Sequence, residues 1–91
     1  MKNLRKEDRA NVKGGVLYAI AAVDSDKKIY SGLVSNLSDS GACIYIQERL
    51  SESTDLQIYF REISLAPVEA KVIWCSQDSS DIYRVGVRLE H

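Results

Sequence analysis

The sequence is poor in the residues from which most metal and catalytic sites are built. Its single histidine is the last residue, His91, and its two cysteines, Cys43 and Cys75, lie inside separate apolar runs. A structural zinc site usually needs four nitrogen or sulfur ligands, and two cysteines with one terminal histidine are too few for such a site. We therefore expect two reduced, buried thiols, no metal, no cofactor and no enzymatic activity.

Long apolar segments are also lacking. No stretch approaches the ~18–20 apolar residues that a membrane-spanning helix needs, and the N-terminus is charged rather than built like a secretory signal. We therefore expect a cytoplasmic protein with no inserted segment. Leu89-Glu90-His91 resembles the start of a vector-encoded tag.

Excess charge of either sign is absent, because 12 Lys and Arg face 13 Asp and Glu for a net charge of −1. A protein that wraps nucleic acid is normally basic, so nucleic acid is an unfavoured partner. The charge is unevenly spread, however. Residues 1–14 hold five basic side chains against two acidic ones, a local net of 5 − 2 = +3. Such a basic arm suits a small anionic partner.

What the chain does contain is alternation of apolar and polar residues with a period of two. Leu56, Ile58 and Phe60 give the clearest case, and this spacing is typical of half-buried strands. The pattern predicts strands in residues 16–23, 28–35, 42–47, 56–61, 68–74 and 83–89. It predicts polar turns at 24–27, 36–41, 48–54, 62–66 and 76–81. Six short strands in 91 residues predict an all-β chain, a small six-stranded antiparallel β-barrel with little or no helix.

Two details follow from this assignment. Gly32 in mid-strand predicts a bulge, a bend or a close backbone approach. Trp74 and Tyr83 fall on the core side of their strands by alternation. Arg84 and Arg88 then share the outer, solvated face.

Two short motifs add a functional signal. Arg5 and Arg9 form R-x-x-x-R in the basic arm, and Asn36, Ser38 and Gly41 form N-x-S-x-x-G in a turn. The chain resembles the PilZ domain family, which carries both motifs in this order. The ending Tyr-Arg-Val-Gly-Val-Arg at 83–88 is similar to the last strand of that family. The resemblance implies a six-stranded barrel that acts as a bacterial receptor for the second messenger cyclic di-GMP.

The residue chemistry agrees with that implication. An arginine guanidinium grips phosphate with two parallel hydrogen bonds and reads guanine O6 and N7 with the same fork. We therefore assign ligand contacts to Arg5 and Arg9, with Lys6 and Arg84 as secondary candidates. The family pattern assigns further contacts to three turn residues, Asn36, Ser38 and Gly41. Gly41 is expected to allow positive φ and close approach of the ligand. Leu4, which is not a third arginine, predicts one ligand per domain.

These assignments divide the chain into a flexible basic arm at 1–13, a barrel at 14–88 and a tag-like end at 89–91. The leading hypothesis is a non-enzymatic receptor in which the ligand orders the arm and so signals to a partner protein. The main alternative is a PilZ-like protein-interaction module that does not bind nucleotide. Binding of single-stranded nucleic acid is less favoured, because it needs a basic groove with interleaved aromatic residues.

Overall fold

The fold is a closed barrel of six antiparallel strands, as predicted. The computed structural model describes residues 14–20, 28–61 and 66–90. The strands are β1 (Gly14–Ile20), β2 (Tyr30–Leu37), β3 (Gly41–Ile46), β4 (Asp55–Phe60), β5 (Val68–Ser79) and β6 (Ile82–Glu90). Their order around the barrel is β1-β2-β3-β6-β5-β4. No helix occurs in these ranges. The described residues therefore include no helix long and apolar enough to cross a membrane.

The core is formed by the inward-facing half of each strand. In β4, Leu56, Ile58 and Phe60 are buried while the residues between them face outward. This is the consequence of side chains alternating across a strand. The other strands complete one continuous cluster that includes Val16, Tyr18, Val34, Ile44, Ile46, Ala70, Val72, Val85, Val87 and Leu89.

Gly32 is a point of close approach, one of the three outcomes predicted for it. A Cβ atom built on Gly32 would lie 2.6 Å from the carbonyl oxygen of Tyr45 and 2.8 Å from Cγ2 of Ile46. Strand β3 therefore passes too close to β2 here for any side chain. The absence of a Cβ at residue 32 allows the two strands to meet.

Two predicted features of β5 were wrong. Residues 76–79 were assigned to a polar turn, yet they continue the strand and pair with β6, with Ser76 opposite Arg84 and Gln77 opposite Tyr83. Trp74 was assigned to the core, yet it is 39% exposed. The register with β6 shifts between Val72 and Trp74, so one extra residue lies in β5 at this point. Such a bulge interrupts the alternation, and Trp74 consequently lies on the outer face.

The cysteine prediction was correct in one respect and wrong in another. Cys43 and Cys75 are both free thiols, as expected. Neither is fully buried, however, because both are only partly covered. Cys75 packs against the core cluster, whereas Cys43 lies among the turn and strand residues described below.

At the end of the chain, β6 runs through Leu89 and Glu90, two residues past the barrel end expected at Arg88. Leu89 is buried against the core. Among the remaining predictions, the basic arm at 1–13 and the turn at 24–27 lie outside the described residues. So do residues 62–65 and His91.

Candidate functional site

The N-x-S-x-x-G motif forms the connection between β2 and β3. The turn itself is only three residues long, Ser38 to Ser40, because β2 continues through Asn36 to Leu37 and β3 begins at Gly41. The backbone N–H of Ser38 donates to the carbonyl oxygen of Gly41 at 2.8 Å. The N–H of Gly41 in turn donates to Oγ of Ser38 at 3.3 Å. The serine hydroxyl therefore closes the turn, which is a common use of this residue type.

The turn is also fixed from its far side by the last strand. The N–H of Leu89 donates to the carbonyl oxygen of Ser40 at 2.9 Å, and Gly41 pairs with Arg88 in the β3–β6 register. The position of the motif therefore depends on the C-terminal strand as well as on β2 and β3.

A shallow hollow of about 210 Å³ opens at this turn. Its walls contain all three predicted motif residues, together with Leu37, Ala42 and Cys43. Asn36 is exposed, and its side-chain amide makes no hydrogen bond to any part of the chain that the structure describes. An amide offers two donors and an acceptor. This side of the hollow can therefore both give hydrogen bonds to a polar ligand and accept them.

Gly41 serves the site for a different reason from the one predicted. Its φ is not positive; among the described glycines only Gly14 has that conformation. Instead, a Cβ atom on Gly41 would lie 2.9 Å from the carbonyl oxygen of Val87. The residue is therefore required for the tight packing of β3 against β6 at the mouth of the turn.

One cross-strand row connects the hollow to the exposed tryptophan. Asn36 pairs with Cys43, Cys43 with Gly86, and Gly86 with Trp74. The row crosses four strands, and neighbouring strands lie about 4.8 Å apart, so it is roughly 14 Å long. A bulge between Val34 and Asn36 places Asn36 opposite Cys43. The turn and the indole are therefore two ends of one continuous outer surface.

Arg84 borders this row and is the one secondary candidate that the structure describes. Its guanidinium carbon lies 5.8 Å from the centroid of the Trp74 ring, over the face of the indole. Arg88 is on the same strand, opposite Gly41, and its Nη2 lies 3.4 Å from Oε2 of Glu90. Sequence reasoning assigned Trp74 to the core and so missed its place beside Arg84. The signal available was the outward-facing glycine between two arginines, which leaves room for a large neighbour.

The arm residues Arg5, Lys6 and Arg9 lie outside the described residues, so the structure does not report their positions. It does show where the arm joins the barrel. Gly14, the first residue of β1, pairs with Val34, which is two residues before Asn36 in β2. The arm therefore enters the barrel at the end that carries the turn.

Comparison with known protein families identifies the family of this barrel. The PilZ domain matches residues 3–91, nearly the whole chain. The chain belongs to the PilZ domain family. The resemblance noted from the two motifs is thereby confirmed, and PilZ domains are in general modules that bind cyclic di-GMP rather than enzymes. Comparisons with curated proteins and with solved structures gave no significant match. Within the described ranges of this PilZ domain, no three side chains of His, Cys, Asp or Glu are grouped as metal ligands would be.

Proposed function

We propose that this PilZ domain is a non-enzymatic bacterial receptor that binds cyclic di-GMP at the β2–β3 turn, acts in the cytoplasm and uses no cofactor. The observation that carries the proposal is the hollow at the N-x-S-x-x-G turn. There an exposed Asn36 amide, which makes no hydrogen bond to the described residues, stands beside Ser38 and Gly41. A purine edge offers the donors and acceptors that such an amide can pair with.

The size of the hollow indicates that the turn is only part of the site. A pocket for a drug-sized ligand is usually about 300–1,000 Å³, and this one is about 210 Å³. A dinucleotide held there needs further contacts from another segment. In this proposal the N-terminal arm supplies them, with Arg5 and Arg9 gripping phosphate and guanine and Lys6 adding positive charge.

The entry point of the arm supports this assignment. Gly14 is paired with Val34 beside the turn. Arg9 lies five residues before Gly14 in the sequence, a separation that can span up to about 17 Å when extended. Arg9 therefore has the reach to contact a ligand in the hollow. Fixing the arm over the ligand creates a new surface, and we propose that an effector protein recognises it.

The test is a calorimetric titration of the domain with cyclic di-GMP, with GTP and linear pGpG as control ligands. We expect saturable binding near micromolar, about −8 kcal/mol, at one ligand per domain, and no comparable binding of the controls. Arg5→Ala and Arg9→Ala should abolish binding without lowering the melting temperature. Arg49→Ala is the matched control, because it removes one positive charge from the exposed loop after β3, at the opposite end of that strand from the turn.

Two results would contradict the proposal. Parental affinity in both arm variants would exclude the arm from the site. No binding by the parent at several hundred micromolar would instead favour the interaction module, and a partner recovered equally with and without nucleotide would then identify that function.

A further inference from the structure

Three of the six strands carry no charged side chain. The sequences of β1, β2 and β3 contain no Asp, Glu, Lys or Arg, although the chain as a whole is 27% charged. The other three strands all contain charged residues, among them Asp55 in β4, Lys71 in β5 and Arg88 in β6. Because β1, β2 and β3 are neighbours in the barrel, their outward side chains form one continuous surface, which we call the uncharged face.

Two large aliphatic side chains project from the uncharged face. Ile29, directly before β2, is 63% exposed, and Leu33 within β2 is 47% exposed. The two residues are about 13 Å apart along the chain direction of the strand. Lys28 and Gln47 are exposed at the margin of the face. An apolar centre with a polar margin is the composition of a protein interface.

A hollow lies beside each of these two side chains. Ile29 borders a hollow of about 270 Å³, together with Leu17 and Tyr59. Leu33 borders another of about 240 Å³, together with Tyr45. Both are smaller than the ~300–1,000 Å³ pocket of a drug-sized ligand, and both are bordered mainly by apolar side chains. They therefore suit single side chains of another protein surface rather than a small molecule.

The size of the uncharged face sets the strength of the contact that it can make. Its strands are six to eight residues long. With a strand spacing of about 4.8 Å and a rise of about 3.3 Å per residue, the three strands cover roughly 14 by 23 Å, a flat area of about 330 Å². This is the size of a functional patch on a monomer, about 300–600 Å², and it is below the ~800 Å² that each partner buries in a stable complex. The face therefore suits a weak and reversible contact.

The absence of charge indicates which protein docks on this face. In a two-fold contact both subunits use the same patch, so residues near the axis meet their own copies. A charged patch would then oppose like charges, whereas the uncharged face meets its own copy without that cost. It also lacks the charges through which a foreign partner is usually selected. We infer that the uncharged face is a self-association surface, on which a second copy of this chain docks with the exposed Ile29 and Leu33 of each copy entering the hollows of the other.

This surface is separate from the candidate ligand site. Ile29 precedes the first residue of β2, whereas the motif turn follows the last one. The two hollows therefore lie toward the end of the barrel opposite the turn. Self-association does not depend on the function proposed above and can be measured without nucleotide.

Sedimentation equilibrium of the domain without nucleotide tests the inference. The parent should show a reversible rise in mean mass toward that of a dimer between about 10 µM and about 1 mM, the range of weak contacts. Leu33→Lys brings like charges together at the interface and should weaken association about a hundredfold or more. Ile73→Lys is the matched control, because Ile73 is 43% exposed on β5, outside the uncharged face. This control should associate like the parent.

A mixing experiment separates loss of the contact from loss of structure. Leu33→Glu should be monomeric for the same reason as Leu33→Lys. An equimolar mixture of these two variants should form dimers again, because opposite charges then meet across the interface. Near-ultraviolet circular dichroism should show that each variant keeps its tertiary structure.

Three results would overturn the inference. A parent that stays monomeric up to about 1 mM, beyond the range of weak contacts, would show that a second copy does not dock on this face. Equal weakening by Ile73→Lys would show that net charge, and not the uncharged face, controls association. A mixture of the two Leu33 variants that stays monomeric would show that the face does not oppose its own copy. Failure of cyclic di-GMP to bind would contradict the proposed function and leave this inference unaffected.

Discussion

At the scale of single residues, Tyr18 carries an uncompensated polar group inside the barrel. The residue is 1% exposed and its ring stacks on Tyr30 at a centroid distance of 5.1 Å. Its hydroxyl is buried and has no hydrogen-bond partner among the residues that the structure describes. Burial, followed by the nearby charge of Glu48, raises the pKa of Tyr18 above its ordinary value of 10.0.

Replacing Tyr18 with phenylalanine should therefore stabilise the protein. Removing a buried, unpaired hydroxyl is worth about 1 kcal/mol in the free energy of unfolding. The raised pKa also makes the parent lose stability above pH 10, because the unfolded chain releases a proton there that the folded chain retains. Below pH 10 that stability is fully present. Urea unfolding of Tyr18→Phe between pH 8 and 11 should show a higher stability and a smaller alkaline loss than the parent.

The control for this measurement is Tyr30→Phe, which keeps the stacked ring and leaves the Tyr18 hydroxyl buried. An alkaline loss of equal size in the parent and in Tyr18→Phe would show that another group is responsible.

Gly32 is the second residue with a specific expected effect. Gly32→Ala places a methyl group 2.6 Å from the carbonyl oxygen of Tyr45, so β2 and β3 must move apart. Overpacking of this kind costs about 1–3 kcal/mol. The matched control is Gly15→Ala, where the nearest atom to the added carbon would be Cδ of Arg61 at 3.6 Å. We expect the control to change the free energy of urea unfolding by less than about 1 kcal/mol, and equal effects at both sites would contradict the explanation.

At the scale of strands, β5 has two different halves. Residues from Glu69 to Lys71 pair with β4 on one side and β6 on the other. Beyond Val72, the described residues of β5 pair with β6 alone. This distal half is an edge strand, and Ser76, Gln77 and Ser79 are exposed along it. Short polar edges are a common protection against pairing with another chain.

Making that edge apolar should promote self-association. The triple variant Ser76→Ile, Gln77→Val and Ser79→Val combines high β-propensity with exposed apolar surface. Sedimentation velocity should show a concentration-dependent increase in mass relative to the parent. The same three positions changed to threonine raise β-propensity while staying polar, and this control should sediment like the parent. Equal association of both triple variants would show that apolar surface is not the cause.

The strands also show which parts of the fold were predictable. Leu56, Ile58 and Phe60 revealed β4 because an uninterrupted strand has a side-chain period of two. Trp74 was misplaced because a bulge adds one residue and so reverses the alternation, which the pattern of β5 alone does not reveal. Ser76 and Gln77 were taken for a turn because an edge strand covers no core and so needs no apolar residues. At the site, Ser38 was predictable as a turn residue, whereas Asn36, which was assigned to the same turn, lies in β2. The contact of Trp74 with Arg84 depends on a register that no single strand reveals.

At the scale of the whole molecule, the two thiols report on different regions. Cys43 lines the hollow at the turn, and Cys75 packs against the core cluster. Bound cyclic di-GMP should therefore slow alkylation of Cys43 by iodoacetamide and leave Cys75 unchanged. At a ligand concentration a hundredfold above Kd, the free fraction falls about a hundredfold, which sets the largest protection expected.

Peptide mass spectrometry after timed alkylation measures both sites in the same sample, so Cys75 is the internal control. Saturated binding with no protection of Cys43 would place the ligand elsewhere on the barrel.

The hydrogen bond from Leu89 to Ser40 couples the position of the turn to the last strand. It joins the last strand to the turn, and the same strand carries Arg84 and Gly86. β6 therefore fixes the turn and the Trp74 end of the outer surface relative to each other. Ending the chain at Arg88 would remove the hydrogen bond from Leu89 and so release the turn from β6, although residues 89–90 resemble part of a vector-encoded tag. A protein domain joined after Glu90 would, for the same reason, be connected to the turn through a single stiff strand.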